Sequence, residues 1–282
     1  MIFPENIGRH LSLDETALSH GELYTVLTNK DAKGKKGSIV AIIAGTSAET
    51  IIPIIEKIAL SIRRKVTEIT LDMAGSMINI AKACFPKAQL VTDRFHVQKL
   101  AMEALQEIRI KHRWQAIDAE NEAIEKAKLQ KKSYHPEVLP NGDTLKQLLA
   151  RSRYLLYKRN YKWTESQKLR AAILFQRYPD LQRAYELTLE LAHIFDSKSK
   201  KIFATTKLAR WHEQVAQSGF KSFNTVSRTI QNHYKTILNY FDNRSTNASA
   251  ESFNAKIKAF RAQFRGVTNI GFFLFRLTQI YA

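Results

Sequence analysis

Residues 8–15 read GRHLSLDE and form the first of five short segments of strand type. The second and third segments are GELYTVLTN (21–29) and SIVAIIAG (38–45), and the turn signal NKDAKGKKG lies between them. Apolar runs bounded by Gly, Lys, Asn and Asp are typical of β-strands. These segments therefore predict a sheet in the first part of the chain.

The next segments alternate between helix and strand. ETIIPIIEKIALSIRRK (49–65) repeats apolar residues at helical spacing and predicts one helix. VTEITLDM (66–73) predicts a fourth strand, INIAKACF (78–85) a short helix, and AQLVTDRF (88–95) a fifth strand. Three strands, a helix, a strand, a helix and a strand predict an α/β fold, with a mixed sheet covered by helices.

Residues 97–240 change in character, because strand patterns vanish and long helical patterns replace them. The last segment, 245–282, contains another helix and then the Phe-rich run GFFLFRLTQIYA. A helical insertion is the simplest explanation. We therefore expect the first part of an α/β domain at 1–98, an all-α insertion at 99–242 and the last part of the α/β domain at 243–282.

The chain is strongly basic. Its 44 Lys and Arg against 26 Asp and Glu give a net charge of +18, which indicates a polyanionic partner, most often nucleic acid. Most of the excess lies in residues 97–246, which carry 27 basic and 15 acidic residues, a net of +12. A ribosome-like or merely basic protein is the alternative that charge leaves open.

Composition excludes several other classes. The single cysteine, Cys84, excludes a disulfide scaffold. The opening MIFPENIGRHLSLDET lacks the apolar core of a signal peptide, and no stretch approaches the roughly 18–20 apolar residues of a membrane span. We therefore expect a soluble, cytoplasmic protein with no membrane partner.

Two aspartates follow strand-type segments, and one glutamate opens a late helix. Asp14 in LSLDET and Asp72 in ITLDMA each follow a leucine that ends an apolar run, so each carboxylate is expected at a sheet edge. Glu251 follows the cap-like STNAS in STNASAESFNAKIKAFRAQFRG (245–266), where the helix dipole favours a negative side chain. Carboxylate oxygens suit Mg²⁺ and Mn²⁺, and two such ions about 3.5–4 Å apart catalyse phosphoryl transfer. Jointly the three acids predict such a site, whereas each one alone is more often a surface charge or a cap.

The helix that carries Glu251 has two faces. One face has residues at steps of three and four that predict metal binding followed by DNA phosphate binding: Glu251, Asn254, Lys258, Arg261 and Arg265. The other face is apolar and is expected to pack on the sheet: Phe253, Ile257, Phe260 and Phe264. A solvated amphipathic helix with a few charges explains the same stripe, so the stripe alone does not decide its role.

Asp93 and His96 form a D-x-x-H pair where the fifth strand ends. Such a pair either ligates metal or holds a histidine beside a site through hydrogen bonds, and the pair alone favours neither reading. Asp93 also follows a strand, so it is a second candidate for the catalytic position given to Asp72.

The order of elements, the two strand-borne aspartates and the late glutamate resemble the RNase H-like DDE transposases of bacterial insertion sequences. Two long blocks are similar to the branch with a D-x-x-H motif after the second aspartate: FPKAQLVTDRFHVQKL (85–100) and YFDNRSTNASAESFNAKIKAFRAQFRGVTNIGFFLFR (240–276). In that branch a helical domain lies between the fifth strand and the glutamate helix. The resemblance implies an RNase H-like mixed sheet, flanked by helices and interrupted by a large all-α insertion.

The resemblance also implies roles for single residues. Asp14, Asp72 and Glu251 become the catalytic and metal-binding acids, with two Mg²⁺ or Mn²⁺ ions per site. In the RNase H-like order the strand of Asp72 lies beside that of Asp14, so Asp72 takes the position of the second catalytic acid. Asp93 and His96 then take the accessory role. The implied activity is metal-dependent cleavage and strand transfer on transposon ends and target DNA. A homodimer or larger synaptic complex, associated with the bacterial nucleoid, is implied as well.

The sequence departs from the family in one respect. Members usually carry an N-terminal DNA-recognition region, whereas only 13 residues precede Asp14 and no cysteine pair is present. Recognition of the DNA ends is therefore expected from a separate protein, from the insertion or from a region missing in a truncated copy.

Two other functions stay open: a catalytically silent DNA-binding derivative and an RNase H-like structure-selective nuclease. The three tryptophans of the insertion bear on how DNA is held, because an aromatic ring can stack on an unpaired base. We expect them chiefly in the helical core, with stacking as the alternative: Trp114, Trp163 and Trp211.

Overall fold

The computed structural model divides the chain into two compact units. Residues 1–96 and 233–282 form the first unit, and residues 97–232 form the second, so the second interrupts the first in sequence. The described part of the chain consists of residues 1–17, 22–263 and 269–282.

Within the described residues, the first unit has these strands: β1 (His10–Ala17), β2 (Leu23–Asn29), β3 (Ile39–Ala44), β4 (Glu68–Leu71) and β5 (Gln89–Thr92). Their order across the sheet is β3-β2-β1-β4-β5. β1 pairs antiparallel with β2, and β2 with β3, whereas β1, β4 and β5 run parallel. The predicted α/β class, the mixed sheet and the position of the fourth strand beside the first are confirmed.

Helices follow the strands in the order expected. In the same described ranges they are α1 (Ala48–Ile55), α2 (Leu60–Arg63), α3 (Gly75–Cys84), α4 (Arg94–Leu129), α5 (Leu145–Leu156), α6 (Glu165–Arg177), α7 (Pro179–Asp196), α8 (Lys201–Ser218), α9 (Lys221–Asn232), α10 (Tyr234–Asn243), α11 (Ala248–Gln263) and α12 (Ile270–Tyr281). None of them is long and apolar enough to cross a membrane.

The segment 49–65, predicted as one helix, forms two. α1 ends at Ile55 and α2 begins at Leu60, because Ala59 adopts a ψ of 134°, which is extended and not helical. Pro53 lies inside α1, where its missing N–H removes one helical hydrogen bond and weakens the continuation.

Side chains alternate along β1 and give the sheet two different faces. Leu11 and Leu13 are fully buried in the apolar cluster that includes α1 and α3. Ser12 and Asp14 lie on the opposite face, where both hydrogen-bond to residues near the start of α11. β1 therefore contributes leucines to the core and polar side chains to the α11 side.

The apolar face of α11 packs on the antiparallel part of the sheet, as expected. Phe253 and Ile257 are each 1% exposed and join a cluster of residues from β2, β3 and α12: Tyr24, Val26, Ile39, Ile42, Phe273, Leu274 and Leu277. Phe260 is partly buried against the same cluster, and Phe264 lies outside the described residues.

α10 belongs to the first unit, although its residues fall in the range 99–242 expected for the insertion. The Asn239 side-chain amide donates to the carbonyl of Leu90 at 2.8 Å, and the Thr92 hydroxyl donates to that of Thr236 at 2.7 Å. α10 thus covers the edge strand β5, which limits the exposure of unpaired backbone groups at that edge. Helical periodicity alone does not reveal which unit a helix packs on.

The second unit is built from α4 to α9. Trp211 lies in its core with 1% exposure, and its indole N–H donates to the carbonyl of Leu187 at 2.8 Å. Trp163 is half-buried, and Trp114 is 60% exposed. The expected core role therefore holds for Trp211 and does not hold for Trp114.

A buried carboxylate fixes the turn before α5. Asp143 is fully buried and accepts hydrogen bonds from Arg170 Nε at 2.9 Å, from Asn141 Nδ2 at 2.8 Å and from Arg151. Burial by itself would raise the pKa of Asp143, but the two guanidinium groups more than offset it and hold the pKa below its ordinary value. Folding therefore favours the ionised form of the Asp143 carboxyl.

Asp143→Asn is expected to lower the free energy of unfolding by about 1–3 kcal/mol, because both guanidinium groups, which are partly in contact with solvent, lose their charged partner. Urea denaturation measures this value. The wild-type advantage is complete above the unfolded-state pKa, near pH 4, and is lost as the pH falls through the lower folded-state pKa.

The control is Glu137→Gln, which breaks an exposed ion pair with Arg177 and is expected to cost less than about 1 kcal/mol. Equal losses in the two variants, or a wild-type advantage that persists at low pH, would contradict the role given to Asp143.

Candidate active site

Two aspartates stand side by side on the parallel strands β1 and β4. Ser12 and Thr70 form the last pair of their ladder, and Asp14 and Asp72 each lie two residues beyond it. Neighbouring strands are about 4.8 Å apart, so the two backbone positions are adjacent. β1 itself continues to Ala17 because it pairs with β2, so Asp14 lies within its strand and not at its end as expected.

A third aspartate extends the row. Leu71 of β4 pairs with Thr92 of β5, and Asp72 and Asp93 each lie one residue beyond that pair. Asp72 and Asp93 thus follow the ends of β4 and β5, and Asp14 lies beside them in the part of β1 that extends beyond its pairing with β4.

The environment of Asp14 is partly buried. Its Oδ2 accepts a hydrogen bond from Asn254 Nδ2 at 2.8 Å, and its Oδ1 accepts from the Glu15 N–H at 2.8 Å. Burial raises the pKa of Asp14, and the charge of Asp72 raises it further, while the Glu15 N–H and His96 act in the opposite direction. Asp14, Asp72 and His96 are therefore close enough to interact electrostatically.

Asp72 and Asp93 differ in their surroundings. Asp93 is 1% exposed, and its Oδ1 accepts the Phe95 N–H at 3.3 Å, which caps the start of α4. Asp72 is only half-buried, and its Oδ1 accepts the Ala74 N–H at 2.9 Å. Asp72 is the more accessible of the two carboxylates.

Glu251 lies in the first turn of α11. Partial burial raises the pKa of Glu251, and the charge of Asp93 raises it further, whereas His96 acts in the opposite direction. His96 thus interacts with both Asp14 and Glu251. Asp14 and Glu251 therefore share His96 as an electrostatic partner, while Asp72 acts on Asp14 and Asp93 acts on Glu251.

The types of ligand fit a hard divalent cation. Asp14, Asp72 and Glu251 supply carboxylate oxygens, and the repulsion between Asp14 and Asp72 is what such a cation relieves. Within the described ranges, no three His, Cys, Asp or Glu side chains are close enough to form a metal site. The structure brings the acids to one edge without gathering their oxygens around one point.

A buried hydrogen bond, which the sequence did not reveal, anchors the start of α11. Ser12 Oγ donates to Asn247 Oδ1 at 2.7 Å, and Asn247 is 1% exposed. The Asn247 carbonyl in turn accepts the Glu251 N–H at 2.8 Å. The first strand therefore fixes the turn that carries the glutamate.

Glu68 of β4 provides a second anchor. It is 2% exposed and accepts hydrogen bonds from Lys30 Nζ and Asn243 Nδ2, each at 3.3 Å, and from Ser245. Burial would raise the pKa of Glu68, but these partners hold it below its ordinary value. In the sequence, the only sign of this contact is the charged Glu68 in a short, otherwise apolar strand.

The polar face of α11 is less uniform than its helical spacing suggests. Asn254 is engaged with Asp14, and Lys258 is exposed. The Arg261 guanidinium lies 5.3 Å from the centroid of the Phe273 ring, on the side of the apolar cluster. Arg265 lies outside the described residues.

An exposed aromatic side chain stands between the two residues of the D-x-x-H pair. Phe95 is 52% exposed and contacts the His96 ring edge-to-face, with 5.7 Å between ring centroids. In the sequence, the only sign of this contact is the position of Phe95 between two polar site residues.

Comparison with known proteins shows the family of the chain. The family model DDE_Tnp_ISL3, described as a transposase, matches residues 11–277. The chain belongs to this DDE transposase family. The match extends over both parts of the first unit and over the whole second unit, so it contains every acid described above.

One relative of the chain is the transposase for insertion sequence element IS1001 from Bordetella parapertussis. The two are 23% identical over 273 residues. The alignment covers 96% of this chain and 61% of the relative, so the chain spans less than two thirds of the relative's length. No solved structure matches the chain significantly.

Ser12→Ala and Asn247→Ala are each expected to lower the free energy of unfolding by about 1–3 kcal/mol, because each leaves a buried polar partner unsatisfied. The double variant should lose less than the sum, with a coupling energy of about 0.5–3 kcal/mol. Urea denaturation of the four proteins in the cycle measures it.

Ser61→Ala, at an exposed position of α2, is the control and should change the free energy of unfolding by less than about 0.5 kcal/mol. Strict additivity of the Ser12 and Asn247 substitutions would show that the two side chains do not anchor α11 together.

Proposed function

We propose that the chain is the catalytic subunit of a DNA transposase, which cleaves DNA strands in a metal-dependent reaction and joins the freed ends to target DNA. The observation that carries the proposal is the register of β1 and β4, which sets Asp14 beside Asp72. The electrostatic coupling of Glu251 and Asp14 to the same histidine, His96, supports it. Membership of the transposase family supplies the reaction class.

The metal-binding role is assigned to Asp14, Asp72 and Glu251, which would hold two Mg²⁺ or Mn²⁺ ions through carboxylate oxygens. Such ions, when bound, activate the attacking oxygen and stabilise the leaving oxygen of phosphoryl transfer. Asn254 orients the Asp14 carboxylate through its hydrogen bond. The N-terminal end of α11 favours a negative charge at Glu251.

The accessory role is assigned to Asp93 and His96. Asp93 fixes the first turn of α4, and its carbonyl accepts the His96 N–H at 3.2 Å, so it holds the backbone that carries His96. The imidazole interacts with Asp14 and with Glu251, and it acts against the rise in the pKa of each carboxyl. His96 therefore acts on two of the three acids.

DNA contacts are proposed along α11. Lys258 lies one turn beyond Asn254 and is exposed, so it is placed to bind a phosphate next to the acids. Arg261 and Arg265 are proposed as further phosphate ligands along the same helix. The position of Arg261 over Phe273 means that its guanidinium must turn away from that ring to reach DNA.

The partners are proposed from the same reasoning. The chain would act on transposon ends and target DNA as a homodimer or a larger synaptic complex, in the bacterial cytoplasm and in association with the nucleoid. The first unit would be the catalytic core. Recognition of the end sequence would come from the basic second unit or from a separate DNA-recognition protein.

Asp14→Asn, Asp72→Asn and Glu251→Gln are each expected to slow Mg²⁺-dependent nicking by roughly a thousandfold or more, which corresponds to about 4 kcal/mol. DNA binding should persist, because Lys258 and the basic second unit are unchanged. The assay follows nicking and strand transfer on linear DNA that carries the element ends, in Mg²⁺, in Mn²⁺ and in EDTA.

Glu15→Gln is the matched control. It neutralises the exposed carboxylate next to Asp14 in the sequence. The Glu15 side chain lies on the opposite face of β1, so activity should stay at the wild-type level. Asp93→Asn keeps an oxygen to cap α4 and should lose only about 10–100-fold, as expected of an accessory residue. An equal or larger loss than in Asp72→Asn would make Asp93 the second acid.

Two outcomes for the wild-type protein would overturn the proposal. Salt-sensitive DNA binding without nicking in either metal would favour the silent DNA-binding derivative. Cleavage of branched DNA without any strand transfer would favour the structure-selective nuclease.

A further inference from the structure

The segment from the end of α5 to the start of α6, residues 151–163, reads RSRYLLYKRNYKW. It contains five Lys and Arg, three Tyr and no Asp or Glu. The segment belongs to the second unit, and none of the residues proposed for catalysis lies in it. A basic sequence with interleaved aromatics is the composition with which proteins hold single nucleic-acid strands.

The three tyrosines of the segment are exposed. Tyr154 is 68% exposed, Tyr161 70% and Tyr157 39%. Aromatic rings left in water contribute little to stability, and exposed aromatic side chains are a feature of binding surfaces.

Cations accompany two of the exposed rings. The Arg153 guanidinium lies 5.5 Å from the centroid of the Tyr154 ring, and Lys162 Nζ lies 5.8 Å from that of the Tyr161 ring. Each contact places a positive charge beside the ring, where it can also bind an anionic group of a ligand that stacks on the tyrosine.

A buried guanidinium adds positive charge beneath this surface. Arg109 is 4% exposed and donates to two neutral acceptors, Gln106 Oε1 at 2.6 Å and the Leu149 carbonyl at 2.8 Å. Burial lowers the pKa of Arg109, and the charges of Arg113 and Arg153 lower it further. Three like charges are therefore gathered at a place where an anion relieves their repulsion.

A cluster of aromatic rings holds the segment in place from below. The Trp163 and Tyr185 rings stack with 5.4 Å between centroids, and Phe175 lies 5.6 Å from Tyr185. Trp163 Nε1 donates to the Leu155 carbonyl and the Tyr185 hydroxyl to the Lys158 carbonyl, each at 2.8 Å. The exposed tyrosines thus project from a fixed backbone, which lowers the entropy cost of binding.

We propose that this surface binds an unpaired DNA strand. The tyrosine surface consists of Arg113, Arg153, Tyr154, Tyr157, Tyr161 and Lys162. Its rings stack on successive bases and its cations bind the phosphates between them. The inference rests on the proposed function, in which the chain works on DNA ends.

An unpaired strand fits the tyrosine surface better than a duplex does. A duplex offers phosphates to the cations but keeps its bases stacked on each other, so the tyrosine rings find no partner. An acidic protein likewise satisfies the cations and leaves the rings without flat, π-faced partners. The net charge of +12 over residues 97–246 favours a polyanion.

The experiment measures the affinity of the full chain, without divalent metal, for fluorescein-labelled oligo(dT) and for a duplex of equal length, by anisotropy. Tyr154→Ala and Tyr161→Ala are each expected to weaken oligo(dT) binding roughly fivefold or more, while duplex binding changes little. Tyr154→Phe and Tyr161→Phe keep the ring and should bind as the wild type. Arg153→Gln with Lys162→Gln should reduce the salt slope for oligo(dT) by about 1.4.

Two controls change matched side chains elsewhere in the second unit. Phe203→Ala removes a 60% exposed ring of α8, and Lys128→Gln removes an exposed cation of α4 that pairs with Glu125. Both should leave oligo(dT) binding unchanged. Thermal unfolding of each variant confirms folding, and the exposed Arg153 and Lys162 substitutions decide the test if an alanine variant fails to fold.

Wild-type affinity for oligo(dT) in the alanine variants, or an equal loss on duplex and oligo(dT), would overturn the inference. Nicking by the wild type reports separately on the proposed function. If the wild type nicks DNA and the alanine variants bind oligo(dT) normally, the inference about the tyrosine surface is wrong and the proposed function is unaffected.

Discussion

The buried hydrogen bond between Ser12 and Asn247 is the contact on which the candidate site depends. It joins two residues 235 positions apart, and between them the chain leaves the first unit, forms the second and returns. Apolar packing of Phe253 and Ile257 holds α11 on the sheet but leaves its rotation and sliding weakly defined. A directional bond between two buried polar groups fixes both, and Glu251 follows within one turn.

Burial and hydrogen bonding make different contributions here. Full burial of Phe253 and Ile257 contributes roughly 1.5–3 kcal/mol each, whereas a buried hydrogen bond contributes about 1 kcal/mol net. The apolar contacts therefore attach the helix and the polar ones orient it. The arrangement has a cost, because Thr16 Oγ1 and Asn247 Nδ2 are buried without a hydrogen-bond partner in the described structure. Both lie on the Asp14 face, so this part of the cost falls beside the acids.

Local patterns were enough to predict the strands and their α/β arrangement, and the resemblance to the RNase H-like order predicted the strand of Asp72 beside that of Asp14. Asp72 directly follows β4, whereas Asp14 lies within β1, two residues beyond the last pair of β1 with β4. The apolar face of α11 was also predictable, since helical spacing fixes which side chains share a face. The start of α11 was visible in the cap-like residues before Glu251.

Features that depend on partners distant in sequence could not be predicted. Ser12 and Asn247 form no local pattern, and α10 has the same amphipathic character whether it packs on β5 or in the second unit. The break after α1 depends on the backbone of Ala59, which no residue preference dictates. Arg261 shares a helical face with Glu251 by spacing, but its long side chain reaches back over Phe273.

We propose that Asp14, Asp72 and Glu251 form one metal site. Fe²⁺ can replace Mg²⁺ and, with ascorbate and peroxide, cleaves the polypeptide next to the bound ion. Mass spectrometry of the full chain should find cuts near all three acids together, suppressed by excess Mg²⁺ and absent in Asp72→Asn. Cuts confined to one of the three positions, or an unchanged pattern in that variant, would contradict the claim.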